Sequence, residues 1–212
     1  MPIYVFPIAI VLVIGTINAY NFMDGINGIT GLYSLVLIAS LYYINQFLFN
    51  IAPQALFVFV GLSLLVFLYF NFRKRARCFA GDVGSVSIAF IVIFLLGQLI
   101  VQSGNLGYIL LLLVYGLDAV TTIVFRLIRR ENIFEAHRSH FYRYLVNEKK
   151  ISHLYVSAGY GAVQLVINLI VLKLAYVSTL FLVSVVLISA IVFTALRIFI
   201  EGKDYLLKKR NA

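Results

Sequence analysis

Charged residues are scarce in this chain, at 12% of its 212 residues, where soluble domains carry about 25%. So few charges cannot provide the polar surface that a soluble protein of this size needs. The scarcity argues against a soluble enzyme, a nucleic-acid-binding module and a disordered tail. A single cysteine, Cys78, excludes an internal disulfide framework, and its basic surroundings are typical of a reduced cytosolic thiol.

Apolar residues are abundant instead, at 63% of the chain against about 45–50% in soluble domains. The mean hydropathy is +1.02. The apolar residues form continuous runs close to the roughly 20 residues that cross a bilayer as a helix, and they do not alternate as barrel strands do. The sequence therefore predicts an all-α integral membrane protein with about seven transmembrane helices. The predicted spans are residues 3–19, 28–44, 55–72, 85–101, 106–124, 154–172 and 174–198.

The positions of the basic residues predict the orientation of the chain. Sixteen of the 17 Lys and Arg residues lie after the first, third, fifth and seventh spans or, for Arg197, in the last turn of the seventh span, and only Lys173 lies elsewhere. Because cytoplasmic loops are enriched in Lys and Arg, we expect the N-terminus outside and the C-terminus in the cytoplasm. This asymmetry explains the net charge of +9 without a nucleic-acid partner. A transmembrane domain over residues 1–198 then has cytoplasmic loops at 20–27, 73–84 and 125–153 and a basic tail at 199–212.

The acidic residues and histidines collect on the same face as the basic loops. All eight acids and all three histidines lie on or near the predicted cytoplasmic side. Any acid–base or metal chemistry is therefore expected on that face.

The first polar segment on this face is residues 18–28, with the sequence NAYNFMDGING. It joins the first two spans and contains the amides of Asn18, Asn21 and Asn27 and the carboxylate of Asp24. Polar groups at a membrane edge must meet water, each other or a substrate. Its two glycines permit close approach of the backbone to a ligand. A capped turn between two helices is the alternative interpretation.

The second segment is residues 79–85, FAGDVGS, directly before the fourth span. It presents the carboxylate of Asp82 at a helix N-terminus, where backbone N–H groups favour anions. One interpretation is a helix cap. The other is a Mg²⁺ ligand beside a phosphate, because proteins often hold Mg²⁺ by one or two carboxylates together with substrate phosphates.

The third segment places Asp118 in the inner half of the fifth span. An ionisable residue inside a span is a functional candidate by default. Thr121 and Thr122 lie on the same helical face as Asp118. A structural role, with Asp118 paired to Arg126 or to another helix, is the alternative that we favour slightly.

The fourth segment is the long loop 125–153, which combines arginines with a His-Arg-Ser-His sequence. A zinc site would need further ligands that the sequence does not supply. Guanidinium groups suit phosphate oxygens, so phosphate binding is the functional interpretation. Positive-inside topology and lipid headgroup contact form the alternative. The candidate residues are Arg126, Arg129, Arg130, His137, Arg138 and His140.

Together, these four segments resemble the polyprenyl-phosphate N-acetylhexosamine-1-phosphate transferase family, membrane glycosyltransferase family 4, which includes the phospho-N-acetylmuramoyl-pentapeptide transferase of peptidoglycan synthesis. The resemblance rests on the motifs NAYNFMDGING, FAGDVGS, DAVTTIVFRLIRR and HRSH, in that order. The HRSH-Phe-Tyr form resembles the branch that initiates O-antigen and other surface-polysaccharide synthesis. The match extends to about Leu145, and the later spans match only in hydropathy.

The resemblance implies an enzyme of a bacterial inner membrane, active at its cytoplasmic face. It would transfer an N-acetylaminosugar 1-phosphate from a UDP-sugar to undecaprenyl phosphate and release UMP. The implied cofactor is Mg²⁺, with Mn²⁺ as a substitute, and the implied partners are both substrates, the bilayer and a second copy in a homodimer. The implied catalytic residues are Asp24, Asp82 as metal ligand, His137 and His140. The implied substrate-binding residues are Asn18, Asn21, Asn27, Arg126, Arg129, Arg130 and Arg138, with Asp118 in a supporting role.

Three departures from the family pattern affect this expectation. Family members usually carry a tandem aspartate pair in an earlier loop and have ten or eleven spans, whereas this sequence has no Asp-Asp and seven predicted spans. Asn27 stands where many members have a second aspartate. We expect a member that lacks about four N-terminal spans. The competing hypotheses are a small transporter or channel and a non-catalytic fragment that serves as a membrane scaffold.

Overall fold

The computed structural model describes residues 5–132, 139–174 and 178–207. These residues form helices joined by short connections and contain no strand, which confirms the prediction of an all-α membrane protein. A 3-10 helix, Leu106–Leu112, leads directly into the fifth α-helix. The α-helices are α1 (Val5–Met23), α2 (Ile29–Phe47), α3 (Gln54–Asn71), α4 (Gly81–Ser103), α5 (Leu113–Ile128), α6 (Phe141–Asn147), α7 (His153–Lys173), α8 (Thr179–Glu201) and α9 (Lys203–Leu207).

Five helical segments within these ranges are long and apolar enough to cross a membrane. A shorter apolar helix covers Ala9–Met23. The predicted total of seven spans and the predicted orientation of the termini remain predictions. The five candidate spans are Gln54–Asn71, Gly81–Ser103, Leu106–Ile128, His153–Lys173 and Leu180–Glu201.

Helix α2 is the centre of the bundle. It packs along α7 on one side and α3 on the other, while α1 packs against α4. Side chains along α2, among them Leu37, Leu41 and Ile44, are fully buried. By contrast, most of α8 is exposed, as expected for a helix that faces lipid. The polar segments therefore occupy one end of a bundle built around α2.

The helix that carries Asp118 is irregular because a side chain from α7 enters its hydrogen-bond ladder. Gln164 Nε2 donates to Leu110 O at 3.0 Å, and Gln164 Oε1 accepts from Val114 N at 3.0 Å. In a regular α-helix, that N–H and that carbonyl would bond to each other. The Tyr33 hydroxyl donates to the same Gln164 oxygen at 2.8 Å. The change from 3-10 to α geometry at Leu112 is thus stabilised by tertiary contacts.

The start of α2 is locked to the end of α3. Gly28 is the N-cap of α2 with φ of 88°, and a side chain there would collide with the ring of Phe72, so glycine is required by both backbone and space. Gly28 N donates to Asn71 Oδ1 at 2.6 Å, and Asn71 Nδ2 donates to Cys78 O at 2.7 Å. Asn71 therefore holds the first polar segment against the connection that precedes α4.

Candidate functional site

The first two polar segments meet through Asn21 and Asp82. Asn21 lies in the last turn of α1, and its Nδ2 donates to Asp82 Oδ1 at 2.9 Å and to Ser85 Oγ at 3.3 Å. Helix α1 continues to Met23, so residues 20–23, predicted as loop, are helical. Asn18 lies one turn before Asn21 and is exposed. Packing of α1 on α4 therefore joins two segments that are far apart in the sequence.

Asp82 lies inside the first turn of α4 and is not its cap. Ala80 is the N-cap residue, and the N-cap makes no side-chain hydrogen bond. The cap interpretation of Asp82 is thus wrong. An acidic side chain in the first turn is stabilised by the helix dipole, and the Asn21 amide adds a direct donor. The Asp82 carboxylate is exposed, so it is open to a ligand at this end of the bundle.

Asp24 is the second carboxylate at this place. Its Oδ1 accepts a 2.7 Å hydrogen bond from the Thr30 hydroxyl. Burial raises the pKa of the Asp24 carboxyl, and the negative charge of Asp82 raises it further. The Thr30 bond, the Gly81 backbone N–H and the positive charge of Arg143 act in the opposite direction and lower that pKa. The two carboxylates are therefore close enough to repel each other, which favours a cation or a proton between them.

Asn27 is committed to contacts within the fold. Its Nδ2 donates to Arg73 O at 2.8 Å, and its backbone N–H donates to His153 Nδ1 at 3.3 Å. Its carbonyl accepts from Ser157 Oγ at 2.8 Å. Asn27 thus ties the first polar segment to the α3–α4 connection and to α7, and its substrate-binding role remains a prediction.

Asp118 holds the start of α6. Its Oδ1 accepts from Phe141 N at 2.9 Å and lies 3.3 Å from His140 Nδ1. Its Oδ2 accepts from Tyr142 N at 3.3 Å and from the Tyr160 hydroxyl at 2.7 Å. Asp118 therefore caps a short helix from a distance and places His140 beside the site.

The last long helix contributes a buried cation to the same network. Arg197 of α8 is 1% exposed. Its Nη1 donates to the hydroxyls of Thr121 and Thr122 at 3.1 and 2.8 Å and lies 4.0 Å from Asp118 Oδ1. Its Nη2 donates to Ser139 O at 2.9 Å. Asp118 thus pairs with other helices, the second of its two predicted options. Sequence reasoning missed Arg197 because it counted this residue only as a topology signal.

The arginines at the end of α5 pair within the protein. Arg126 and Arg129 are buried and form ion pairs with Glu131 at 3.3 and 2.8 Å. Arg129 also donates to Leu206 O at 3.0 Å. Arg130 is exposed at the helix end, with φ of 55°. The predicted substrate contacts of these three remain predictions, and His137 and Arg138 lie outside the described residues.

Helix α6 reaches back to the first polar segment. The Tyr142 hydroxyl donates to Phe22 O at 2.8 Å and accepts from Arg143 Nε at 2.7 Å. A Cβ atom at Gly25 would collide with the Tyr142 hydroxyl and the Arg143 guanidinium. Sequence reasoning missed both α6 residues. The only available signal was the glycine directly after Asp24.

The donors at this site fit Mg²⁺ better than a transition metal. No group of three His, Cys, Asp or Glu side chains that could hold a metal occurs among the described residues. Two carboxylates do come together, and Mg²⁺ is usually bound by one or two carboxylates plus water and substrate phosphates. The mutual repulsion of Asp24 and Asp82 is the feature that such a cation would relieve.

Comparison with known proteins gives a family and several relatives that match part of the chain. Residues 1–100 match the model of glycosyl transferase family 4. The chain is 34% identical over 82 residues to a phospho-N-acetylmuramoyl-pentapeptide-transferase of Thermoanaerobacter sp., covering 39% of this chain and 26% of that protein. A phospho-N-acetylmuramoyl-pentapeptide-transferase of Wolbachia sp. subsp. Drosophila simulans is 36% identical over 85 residues, or 39% of this chain and 25% of that protein.

A further match covers a larger share of the chain. A probable undecaprenyl-phosphate N-acetylglucosaminyl 1-phosphate transferase of Bacillus subtilis is 25% identical over 145 residues, covering 66% of this chain and 40% of that protein. The chain spans about a quarter of the length of the first two relatives. The family-model match contains both segments that meet at Asn21 and Asp82.

Proposed function

We propose that this chain, whose residues 1–100 match the model of glycosyl transferase family 4, transfers an N-acetylaminosugar 1-phosphate from a UDP-sugar to polyprenyl phosphate. The match supports the resemblance found in the sequence. The proposal rests on the contact between the first two polar segments, both of which lie in the matched residues. There the Asn21 amide donates to the Asp82 carboxylate, and the charge of Asp82 acts on Asp24. A purely structural membrane helix bundle does not need two repelling carboxylates at one end.

The proposed reaction joins two anionic substrates. A phosphate oxygen of the polyprenyl phosphate, undecaprenyl phosphate in a bacterium, attacks the β-phosphorus of the UDP-sugar. The bond between that phosphorus and the bridging oxygen breaks, and UMP leaves with the oxygen. The product is a polyprenyl-diphospho-sugar in the inner leaflet. Phosphoryl transfer of this kind depends mainly on positioning and on neutralising charge.

On this proposal, Asp82 and Asp24 hold Mg²⁺, for which Mn²⁺ can substitute. A bound cation would neutralise part of the negative charge of the diphosphate. Asn21 orients the Asp82 carboxylate through its 2.9 Å hydrogen bond. Asp118 lies 3.3 Å from His140 Nδ1 and orients the imidazole ring, because a partner at one ring nitrogen sets the tautomer. Asn18, exposed one turn before Asn21, is available to the nucleotide.

The proposal places the reaction at the cytoplasmic face of a bacterial inner membrane, where UDP-sugars are available. Its product would begin a cell-envelope polysaccharide, with O-antigen as the expected class. The protein is expected to work as a multi-pass membrane enzyme, and a homodimer is compatible with the exposed apolar surfaces of α3 and α8.

The direct test is UMP exchange. Membranes that contain the full-length protein are incubated with UDP-N-acetylaminosugar, polyprenyl phosphate, Mg²⁺ and labelled UMP. Exchange of label into the UDP-sugar is expected, with loss on chelation and recovery on adding Mg²⁺ or Mn²⁺. A folded preparation that exchanges no label with any UDP-N-acetylaminosugar would overturn the proposal and favour the non-catalytic alternative.

A further inference from the structure

Arg143 is a cation at the Asp24–Asp82 site that belongs to none of the motifs recognised in the sequence. It lies on α6, and its Nε and Nη2 are each 2.7 Å from the position that a Cβ atom of Gly25 would occupy. Its positive charge lowers the pKa of the Asp24 carboxyl. The guanidinium therefore lies directly over the backbone of the first polar segment, in space that is open only because residue 25 is glycine.

The orientation of this guanidinium is fixed by one neighbour. Arg143 Nε donates to the Tyr142 hydroxyl at 2.7 Å, and that hydroxyl in turn donates to Phe22 O. Arginine has five N–H donors in a planar fork. Within the described part of the chain, the four N–H groups on Nη1 and Nη2 make no hydrogen bond, and Arg143 is half-buried. A held guanidinium with two unused nitrogen atoms is suited to an external acceptor.

The other arginines at this end of the bundle differ in this respect. Arg126 and Arg129 are buried and share an ion pair with the single carboxylate of Glu131, so both guanidinium groups are committed to contacts within the protein. Arg197 is buried behind Asp118 and pairs with Glu201. Arg143 instead acts on the Asp24 carboxylate without forming an ion pair within 4.0 Å among the described residues. Its charge is therefore available to an anion that approaches Asp24 and Asp82.

We propose that Arg143 binds a phosphate oxygen of the substrate held at the Asp24–Asp82 pair, an inference that rests on the proposed function. Two carboxylates and a phosphate group place several negative charges together, and one divalent cation cannot neutralise all of them. The guanidinium fork matches phosphate geometry and forms charge-assisted hydrogen bonds. The phosphate has two sources, the diphosphate of the UDP-sugar and the monoester of the lipid.

Separate kinetic constants distinguish those sources. Arg143→Gln and Arg143→Lys are compared with the wild type in full-length protein, and Arg75→Gln removes the same charge from an exposed loop position as a control. We expect KM to rise roughly 10- to 100-fold for one substrate, as for loss of a charge-assisted hydrogen bond, with a smaller rise in the Lys variant. A rise for the UDP-sugar assigns Arg143 to the diphosphate, and a rise for polyprenyl phosphate assigns it to the lipid.

A second variant tests the same inference by steric displacement: it keeps Arg143 in the sequence but moves its side chain. Gly25→Ala puts a methyl group where the guanidinium lies and should raise the same KM. The double variant with Arg143→Gln should have a KM close to that of Arg143→Gln alone. Gly97→Ala is the control, because a Cβ there meets no atom within 4 Å. UMP binding by calorimetry serves as a readout that does not depend on turnover.

The outcomes separate the inference from the proposed function. Wild-type exchange with unchanged KM values for both Arg143 variants and Gly25→Ala would overturn the role of Arg143 and leave the transferase proposal standing. A folded wild-type protein that neither exchanges nor binds UMP would overturn both. If Arg143→Gln does not fold, the Lys and Gly25→Ala variants decide the question.

Discussion

Asn21 of α1 and Asp82 of α4 are joined by a 2.9 Å hydrogen bond between side chains that lie 61 residues apart in the sequence. The amide fixes one carboxylate oxygen and leaves the other available. Because Asp82 is exposed and Asp24 is mostly buried, the two carboxylates have different environments at one site.

Asp82→Asn is expected to lower the rate of UMP exchange at least about 100-fold, because an amide cannot supply negative charge to a bound Mg²⁺. Asn21→Ala is expected to lower that rate about 10- to 100-fold, as is typical for residues that orient a metal ligand. Steady-state exchange in purified protein measures both. Asp204→Asn, the same change in the first turn of α9, is the control. Full activity of Asp82→Asn would remove it as metal ligand.

The stability contribution of Asp24 is expected to fall as pH rises. Since burial raises its pKa in the folded protein above the ordinary value of 3.8, the folded state binds this proton more tightly than the unfolded chain. Stability therefore declines as the pH rises from the unfolded-state pKa to the folded-state pKa. Above that range the ionised carboxylate destabilises the fold. Asp24→Asn should therefore raise Tm at pH 7 without divalent cations while abolishing exchange.

Thermal unfolding in detergent measures this difference. Well below pH 3.8 the carboxyl is protonated in both states, so the variant and the wild type should unfold at nearly the same temperature. Asp204→Asn should show no such pH-dependent gain. A Tm for Asp24→Asn below that of the wild type at neutral pH would contradict the prediction.

Arg197→Met is expected to destabilise the fold by about 3–5 kcal/mol, because it leaves Asp118 and Glu201 as buried charges without their cation. Arg197→Lys retains the charge but loses the fork that reaches Thr121, Thr122 and Ser139, so an intermediate loss is expected. Denaturant unfolding monitors both variants. Adding Glu201→Leu to Arg197→Met should recover part of the loss, and failure to recover any would argue against charge compensation.

Gln164→Leu should destabilise the protein by about 1–3 kcal/mol for each buried group that it leaves unpaired. Those groups are Leu110 O and Val114 N. Gln102→Leu, at an exposed position near the end of α4, is the matched control and should have little effect. Equal unfolding temperatures for the two variants would show that Val114 N and Leu110 O form their own backbone hydrogen bond when Gln164 is absent.

Hydropathy and short motifs predicted the class of the fold and the first two polar segments, because both depend on local sequence. The contact between Asn21 and Asp82 could not be predicted, since it depends on how α1 packs on α4. Helix α1 also runs further than its apolar residues indicated, because the amides at its end face the site rather than interrupting the helix. The end of a helix such as α1 is thus set by tertiary contacts.

The roles of the arginines were the least predictable part of the site. Every basic residue contributes to the same topology signal, so the sequence alone does not separate Arg197, which is buried, from Arg75, which is exposed. Arg143 was missed because its function depends on the position of Gly25 across the fold. A charge pattern identifies the side of the membrane, whereas only packing identifies the partner of each charge.

The entry of Gln164 into the ladder of the Asp118 helix has a consequence for membrane insertion. The ribosome makes residues 106–128 well before Gln164, so the Leu110 carbonyl and the Val114 N–H enter the membrane without that partner. Unpaired backbone groups are costly in lipid, and the segment is therefore expected to insert as a continuous α-helix. Its first part tightens to the 3-10 form only when α7 packs against it. The shape of the helix that holds Asp118 is thus acquired during assembly, after the chain has already been inserted.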